Sequence, residues 1–312
     1  MLDRAADRLA DFAPWGEAPV LLACSGGADS SFLALAWRHA AERASPCSDR
    51  VSAGERASLP PARCAVVDHG HREGSAADAA RAAEALAGLG FEVEVLRACA
   101  PPDSNEAVLR DARYALLRDA AQACGAGRVL TAHHADDLAE TVLLRILRGT
   151  GLRGLAGIPA RRALGCGVDV LRPLLGFRRA ELRAALAAAG VAWLEDPTNA
   201  LPHAARNRLR QEVLPAMARV ATGDPVLAVL RLAAEAGEWN DALDALLGAA
   251  GDWRALPGYL RRQAVAVELR RLGETVSPAR LRDLESALMR KGRAGVSTGA
   301  ALRVADGRLA SS

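Results

Sequence analysis

Ser25-Gly26-Gly27-Ala28-Asp29-Ser30 follows the apolar run Val20-Leu21-Leu22-Ala23-Cys24 and precedes a helical pattern over Ser31–Arg43. A buried strand, a glycine-rich turn and a helix in that order build an anion site. The first N–H groups of a helix have no intrahelical partner, and the helix dipole favours negative charge there. Gly26 and Gly27 allow backbone angles and close approach that a side chain would block. Ser25 and Ser30 add hydroxyl donors, and Asp29 offers a hard oxygen of the kind Mg²⁺ prefers. The competing reading is a plain strand-to-helix turn, because Ser, Gly and Asp are ordinary turn and cap residues.

Outward from this stretch, strands and helices alternate. Apolar runs predict strands at Val20–Cys24, Cys64–Asp68, Phe91–Leu96, Arg128–Ala132 and Val168–Leu171. Helical patterns fall at Ser31–Arg43, Ala76–Leu89, Asn105–Cys124, Asp136–Arg148 and Arg178–Ala189. The alternation predicts an α/β fold, a parallel sheet covered on both faces, with ligands beyond the carboxyl ends of the strands where strand order reverses. Pro46–Pro61 reads as a surface insertion, and Gly149–Pro159 as either a lid or a plain connection. Beyond Pro215 the pattern is helical over Pro225–Gly248, Leu256–Gly273 and Ser277–Arg290. It ends in a hairpin over Gly295–Leu309 that turns at Asp306-Gly307. Two domains are expected, 1–215 and 216–312.

Composition narrows the class. The chain has 312 residues and is 51% hydrophobic. It contains no uncharged apolar run of about 18 residues, so no membrane span is expected. Asp3, Asp7 and Asp11 lie in an amphipathic N-terminal pattern that does not read as a signal peptide. Six cysteines without a C-x-x-C pair favour a reducing cytoplasm and argue against a zinc or iron–sulfur site. The net charge of +3 is carried by residues 216–312, which hold 14 basic and 11 acidic residues, nearly all the cations being Arg. Arginine forks onto phosphates better than lysine does, but charge alone does not establish nucleic-acid binding.

Four further clusters carry candidate chemistry. His133-His134-Ala135-Asp136-Asp137-Leu138-Ala139-Glu140 begins at a strand end, and Asp137 and Glu140 share a helix face. A zinc site on the two histidines is the lesser alternative, since helical metal ligands usually sit three or four apart. A capped helix start with solvated acids is another. Val67-Asp68-His69-Gly70-His71-Arg72 also follows a strand. Asn105-Glu106 with Arg110, Arg113 and Tyr114 makes a basic helix face. Glu195-Asp196-Pro197-Thr198-Asn199 precedes Arg206, Arg208 and Arg210, which read as either a surface ion-pair belt or a polyanion holder.

The loop is not a Walker loop, which is longer and ends in Lys-Ser/Thr; the only lysine here is Lys291. It resembles the SGGxDS pyrophosphate loop of the ATP pyrophosphatases. The blocks SGGADS, VDHGHR, NEAVLRDARY, HHADDLAET with RILRGTGLRGL, RPLL, and EDPTN with RNRLR and LP resemble the tRNA(Ile)-lysidine synthase family, in the same order, over about residues 18–215. His71 departs from that pattern, where a leucine-like residue is common.

The resemblance implies an enzyme that uses ATP and Mg²⁺ to adenylate the wobble cytidine of tRNA(Ile) with a CAU anticodon, and then joins L-lysine to it. It implies nucleotide contacts from Ser25, Gly26, Gly27, Ala28, Asp29, Ser30, Asp68, His69, Arg113 and His133, with Mg²⁺ on Asp29. It implies catalytic roles for Asp29, Asp137, Glu140 and Arg206, and leaves open which of Asp137 and Glu140 assists amine deprotonation. Residues 216–312 would contact the tRNA, a homodimer stays open, and no membrane partner is expected. The alternatives are a tRNA thiolase on the same scaffold and an ATP sensor, for which Asp137 and Glu140 would have no task.

Overall fold

The computed structural model describes residues 1–44, 59–68, 70, 74–98, 106–195, 205–274, 276–297 and 299–311. Contacts divide the chain into two compact units, Met1–Ala234 and Glu235–Ser312. The division falls inside a long helix, Pro225–Ala249, whereas the break read near 215 marks a change of sequence pattern.

The first unit carries a six-stranded sheet of β1 (Val20–Cys24), β2 (Ala62–Asp68), β3 (Glu92–Arg97), β4 (Arg128–Thr131), β5 (Arg161–Gly165) and β6 (Val168–Leu171), in the order β3-β2-β1-β4-β6-β5. Every residue of β1 is buried, and β1 pairs in parallel with β2 on one side and β4 on the other. Its side chains alternate between two cores, as a strand's period of two requires. Val20, Leu22 and Cys24 pack with Phe32, Trp37, Leu86 and Leu182, while Leu21 and Ala23 pack with Leu117, Val129 and Val170. One apolar run is thus covered on both faces.

The helices are α1 (Leu2–Ala10), α2 (Ala28–Ala44), α3 (Ser75–Gly88), α4 (Glu106–Ala123), α5 (Ala135–Leu147), α6 (Leu152–Leu155), α7 (Arg179–Ala188), α8 (Ala205–Arg208), α9 (Leu214–Val220) and α10 (Pro225–Ala249). A π-helical turn, Leu209–Val213, joins α8 to α9. The expected elements are present, and the first unit adds α1, the short α6, the π-helical turn, α9 and β5. β5 pairs antiparallel with β6 and makes the sheet mostly rather than wholly parallel. The Gly149–Pro159 segment is tied down as a connection. Arg145 Nη1 donates to Gly154 O and Gly157 O at 2.9 and 2.7 Å. A Cβ on Gly157 would lie 2.8 Å from Leu138 Cδ1, so the segment lies against α5.

The second unit comprises the rest of α10, α11 (Gly258–Arg271), α12 (Pro278–Lys291) and a sheet of β7 (Arg293–Gly295), β8 (Ala301–Ala305) and β9 (Arg308–Ser311). The expected hairpin turns at Asp306-Gly307, where both residues have positive φ as a tight hairpin turn demands. It gains β7 as a third strand. Trp253, Val265, Leu269, Leu288 and Leu302 form the core, and Glu285 is held by Arg261 and Arg262. Among the described residues no single helix is long and apolar enough to cross a membrane.

Candidate active site

Strand order reverses at β1. β2 and β3 run out to one side, and β4, β6 and β5 to the other. The crevice between the carboxyl ends of β1 and β4 is where such a sheet binds ligands, and both chemistry-bearing segments leave from it.

From β1, residues 25–27 turn into α2. Ser30 Oγ lies 3.1 Å from Ser25 N as acceptor and donates to Gly27 O at 3.0 Å, so the loop is closed on itself. Gly26 has φ +77°, and a Cβ there would come within 2.6 Å of Ala82 Cβ. No other residue fits without displacing α3. From β4, His133 and His134 lead into α5. His134 caps it: Asp137 N donates to His134 Nδ1 at 3.3 Å, and His134 N donates to Asp137 Oδ2 at 3.2 Å.

The two segments meet at a cavity of about 370 Å³. Ser25, Gly27, Ala28, Asp29, His134, Asp137 and Arg206 line it, joined by Arg179, Arg183 and Arg210. His134 Nε2 lies 3.5 Å from both Asp29 Oδ2 and Asp137 Oδ2. Burial opposes a charge on His134, but the Asp29 hydrogen bond and the charges of Asp137, Asp29 and Asp136 outweigh it and hold its pKa above the ordinary value. Burial likewise raises Asp29, yet His134, Arg179 and Arg183 bring it below the usual carboxylate range. Asp29 Oδ1 is buried and has no hydrogen-bond partner.

Glu140 is fully buried, and its oxygens are occupied by arginines. Burial pushes its pKa up, opposed by Arg210 and Arg206. Asp137 and Glu140 therefore share a helix but not an exposure: Asp137 lines the cavity, and Glu140 anchors the wall behind it.

Arg113, His133 and Arg206 line a second cavity of about 330 Å³ with Arg110, Tyr114, Arg145, Arg162 and Arg172. Burial, then the charges of Arg172, Arg113, Arg110 and Arg206, push the His133 pKa down to about 2, so its ring is neutral. The two histidines thus face different cavities, and among the described residues no group of three or more His, Cys, Asp or Glu is placed to hold a metal.

Asp68 ends β2, accepts from Gly70 N at 3.0 Å, and lines neither cavity. His69, His71, Arg72, Asn105 and 196–199 lie outside the described residues, as does 46–58 of the expected insertion. Sequence reasoning missed Arg179 and Arg183, although their i,i+4 spacing on α7 was a readable signal. It also missed Arg162 in the second cavity; Arg145 and Arg172 stand at the head of the RILRGTGLRGL and RPLL blocks with no role read from them, and the three come from separate elements.

Residues 1–217 match the family model described as PP-loop domain, and the chain belongs to that family. The chain is similar to tRNA(Ile)-lysidine synthases of several bacteria. It is 48% identical over 204 residues to a tRNA(Ile)-lysidine synthase of Salinispora tropica, covering 64% of this chain and 57% of the relative. It is 37% identical over 334 residues to that of a Methylobacterium species, covering 98% of this chain and 90% of the relative. The chain is a member of the tRNA(Ile)-lysidine synthase group. It spans 57% and 59% of the length of the two Salinispora relatives. Among solved structures, it is similar to a U34-tRNA thiolase of Methanococcus maripaludis, with a TM-score of 0.56 at 14% identity over 75% of this chain and 77% of that one. That likeness shows the fold alone.

Proposed function

We propose that the chain ligates L-lysine to C2 of the wobble cytidine of the AUA-reading tRNA(Ile) at the expense of ATP, forming lysidine. One observation carries the reading. An anion-binding loop (Ser25–Ser30) and a cavity-facing carboxylate (Asp137) open onto the same cavity with Arg179, Arg183 and Arg210. The names of the relatives support it.

The buried, unpartnered Asp29 Oδ1 fits a hard cation completed by phosphate and water oxygens, as Mg²⁺ commonly is. Mg²⁺ bound there would offset charge on the departing diphosphate. The loop N–H groups, the serine hydroxyls and Arg179 and Arg183 receive that charge from the protein side. The cytosine 2-oxygen attacks the α-phosphorus and diphosphate leaves. The lysine ε-amine then attacks C2, and AMP leaves with the C–O bond electrons.

Free lysine titrates near 10.4, so roughly one molecule in a few thousand carries a neutral amine at pH 7. Asp137 orients the ammonium and accepts its proton as attack begins. Glu140 acts one step back, fixing Arg206 and Arg210 at the wall. The cytidine enters unstacked, as bases undergoing chemistry do. The arginines of 216–312 contact the rest of the tRNA. The enzyme works in the cytoplasm.

The test incubates the protein with ATP, Mg²⁺, radiolabelled lysine and a tRNA(Ile) transcript bearing the CAU anticodon. Label covalently attached to cytidine, with lysine-dependent AMP release, is expected. AMP release without a lysine requirement would point to base activation for another nucleophile such as sulfur. Absence of turnover would leave a nucleotide sensor.

A further inference from the structure

We propose that the second cavity is a phosphate-binding site, separate from the nucleotide loop, which receives either a backbone phosphodiester of the substrate RNA or the released diphosphate. The inference rests on the RNA-modifying reading only for the first of these sources.

Its wall brings together Arg110, Arg113, Arg145, Arg162 and Arg172, with Arg206 shared between the two cavities. Among the described residues no carboxylate lines it, and none of the first five makes an ion pair with Asp or Glu. Arg172 is 2% exposed and donates to Pro159 O at 2.7 Å and Tyr114 Oη at 3.3 Å. Its Nε, like that of Arg162, is buried without a partner.

A buried guanidinium with unused donors is costly unless something supplies counter-charge. Among the described residues no acidic group supplies it, and a ligand would. Several forks around one cavity exceed what a single carboxylate can balance, whereas phosphate oxygens accept fork after fork. The guanidiniums are also held in place. Arg162 and Arg110 lie over the Tyr114 ring at 4.7 and 5.7 Å from its centroid, and Arg145 is fixed by Gly154 O and Gly157 O. Arg110 is exposed, which gives the cavity a mouth.

The test compares the full chain with R110Q/R162Q, which spares buried Arg172. In the RNA arm, affinity for the transcript is measured across a salt series. A phosphodiester ligand predicts roughly tenfold weaker binding and a salt slope shallower by about 0.7 per lost contact. In the other arm, inorganic diphosphate is titrated into each protein. A free-diphosphate ligand predicts one fewer bound equivalent in the variant at unchanged RNA affinity. Wild-type RNA affinity, salt slope and diphosphate stoichiometry in a variant that still binds ATP would overturn the site. R110Q alone, at an exposed position, serves should the double variant melt early. If the unaltered protein does not bind the transcript, the proposed function fails, while the diphosphate arm still decides the cavity.

Discussion

Arg210 grips Glu140 with two nitrogens, Nε 2.8 Å from Oε1 and Nη2 3.1 Å from Oε2, while Arg206 Nε stands 3.2 Å from Oε2. Glu140 has no exposed surface, and both its oxygens are held by these arginines. Its partners keep 26% and 34% of their side-chain surface, so they can find water if it is removed. The loss is therefore asymmetric. Arg210→Met, which strands a buried carboxylate, is expected to cost about 3 kcal/mol, and Glu140→Gln less than that. Urea unfolding of both variants measures the order, and a reversed order would contradict it.

The same contacts separate the two acids in catalysis. Asp137→Asn is expected to raise the lysine KM by about tenfold or more, the scale of one charged hydrogen bond, with ATP affinity nearly unchanged. Glu140→Gln is expected to lower kcat more than it raises the lysine KM, because it loosens a wall rather than removing a contact to the amine. Steady-state kinetics over lysine concentration give both numbers.

Gly26 carries two constraints at once, φ of +77° and a 2.6 Å approach to Ala82 by any added Cβ. Left-handed backbone costs a non-glycine residue about 1–2 kcal/mol, and the overlap adds to this. Gly26→Ala is expected to weaken ATP binding and lower the melting temperature. Adding Ala82→Gly relieves only the overlap. The pair should show favourable coupling of about 1 kcal/mol in a double-mutant cycle without full recovery.

Asp136 supplies a pH signature. Burial would raise its pKa, but the Arg178 hydrogen bonds, the Arg179 N–H at 2.8 Å and His134 bring it below the ordinary carboxylate value. A depressed folded-state pKa contributes stability that is present above the unfolded value near 4 and lost as pH falls through the folded one. Asp136→Asn is therefore expected to be destabilised near neutral pH and to lose less stability than the parent on acidification. Melting curves between pH 7 and pH 3 check it.

Residues whose neighbours in space are also neighbours in sequence were readable. Val20–Cys24 announces a doubly covered strand by its unbroken apolar run, and the serine–glycine turn after it could be read as an anion loop. The terminal hairpin is legible from Asp306-Gly307. Arg161–Gly165 was not, because an edge strand needs no apolar run: its residues alternate between exposed and half-buried. Nor was the pairing of Arg206 and Arg210 with Glu140, which bridges about seventy positions of chain. The second cavity was half visible, as Arg110 and Arg113 on one helix. Arg145, Arg162 and Arg172 reach it from α5, β5 and the residue after β6, and no local pattern links them.

His133 and His134 are consecutive in extended chain, so their rings point to opposite sides. One ring sits among arginines and is stripped of its proton, and the other sits among acids and attracts one. Two rings one peptide bond apart therefore hold opposite protonation tendencies, each set by the cavity it faces.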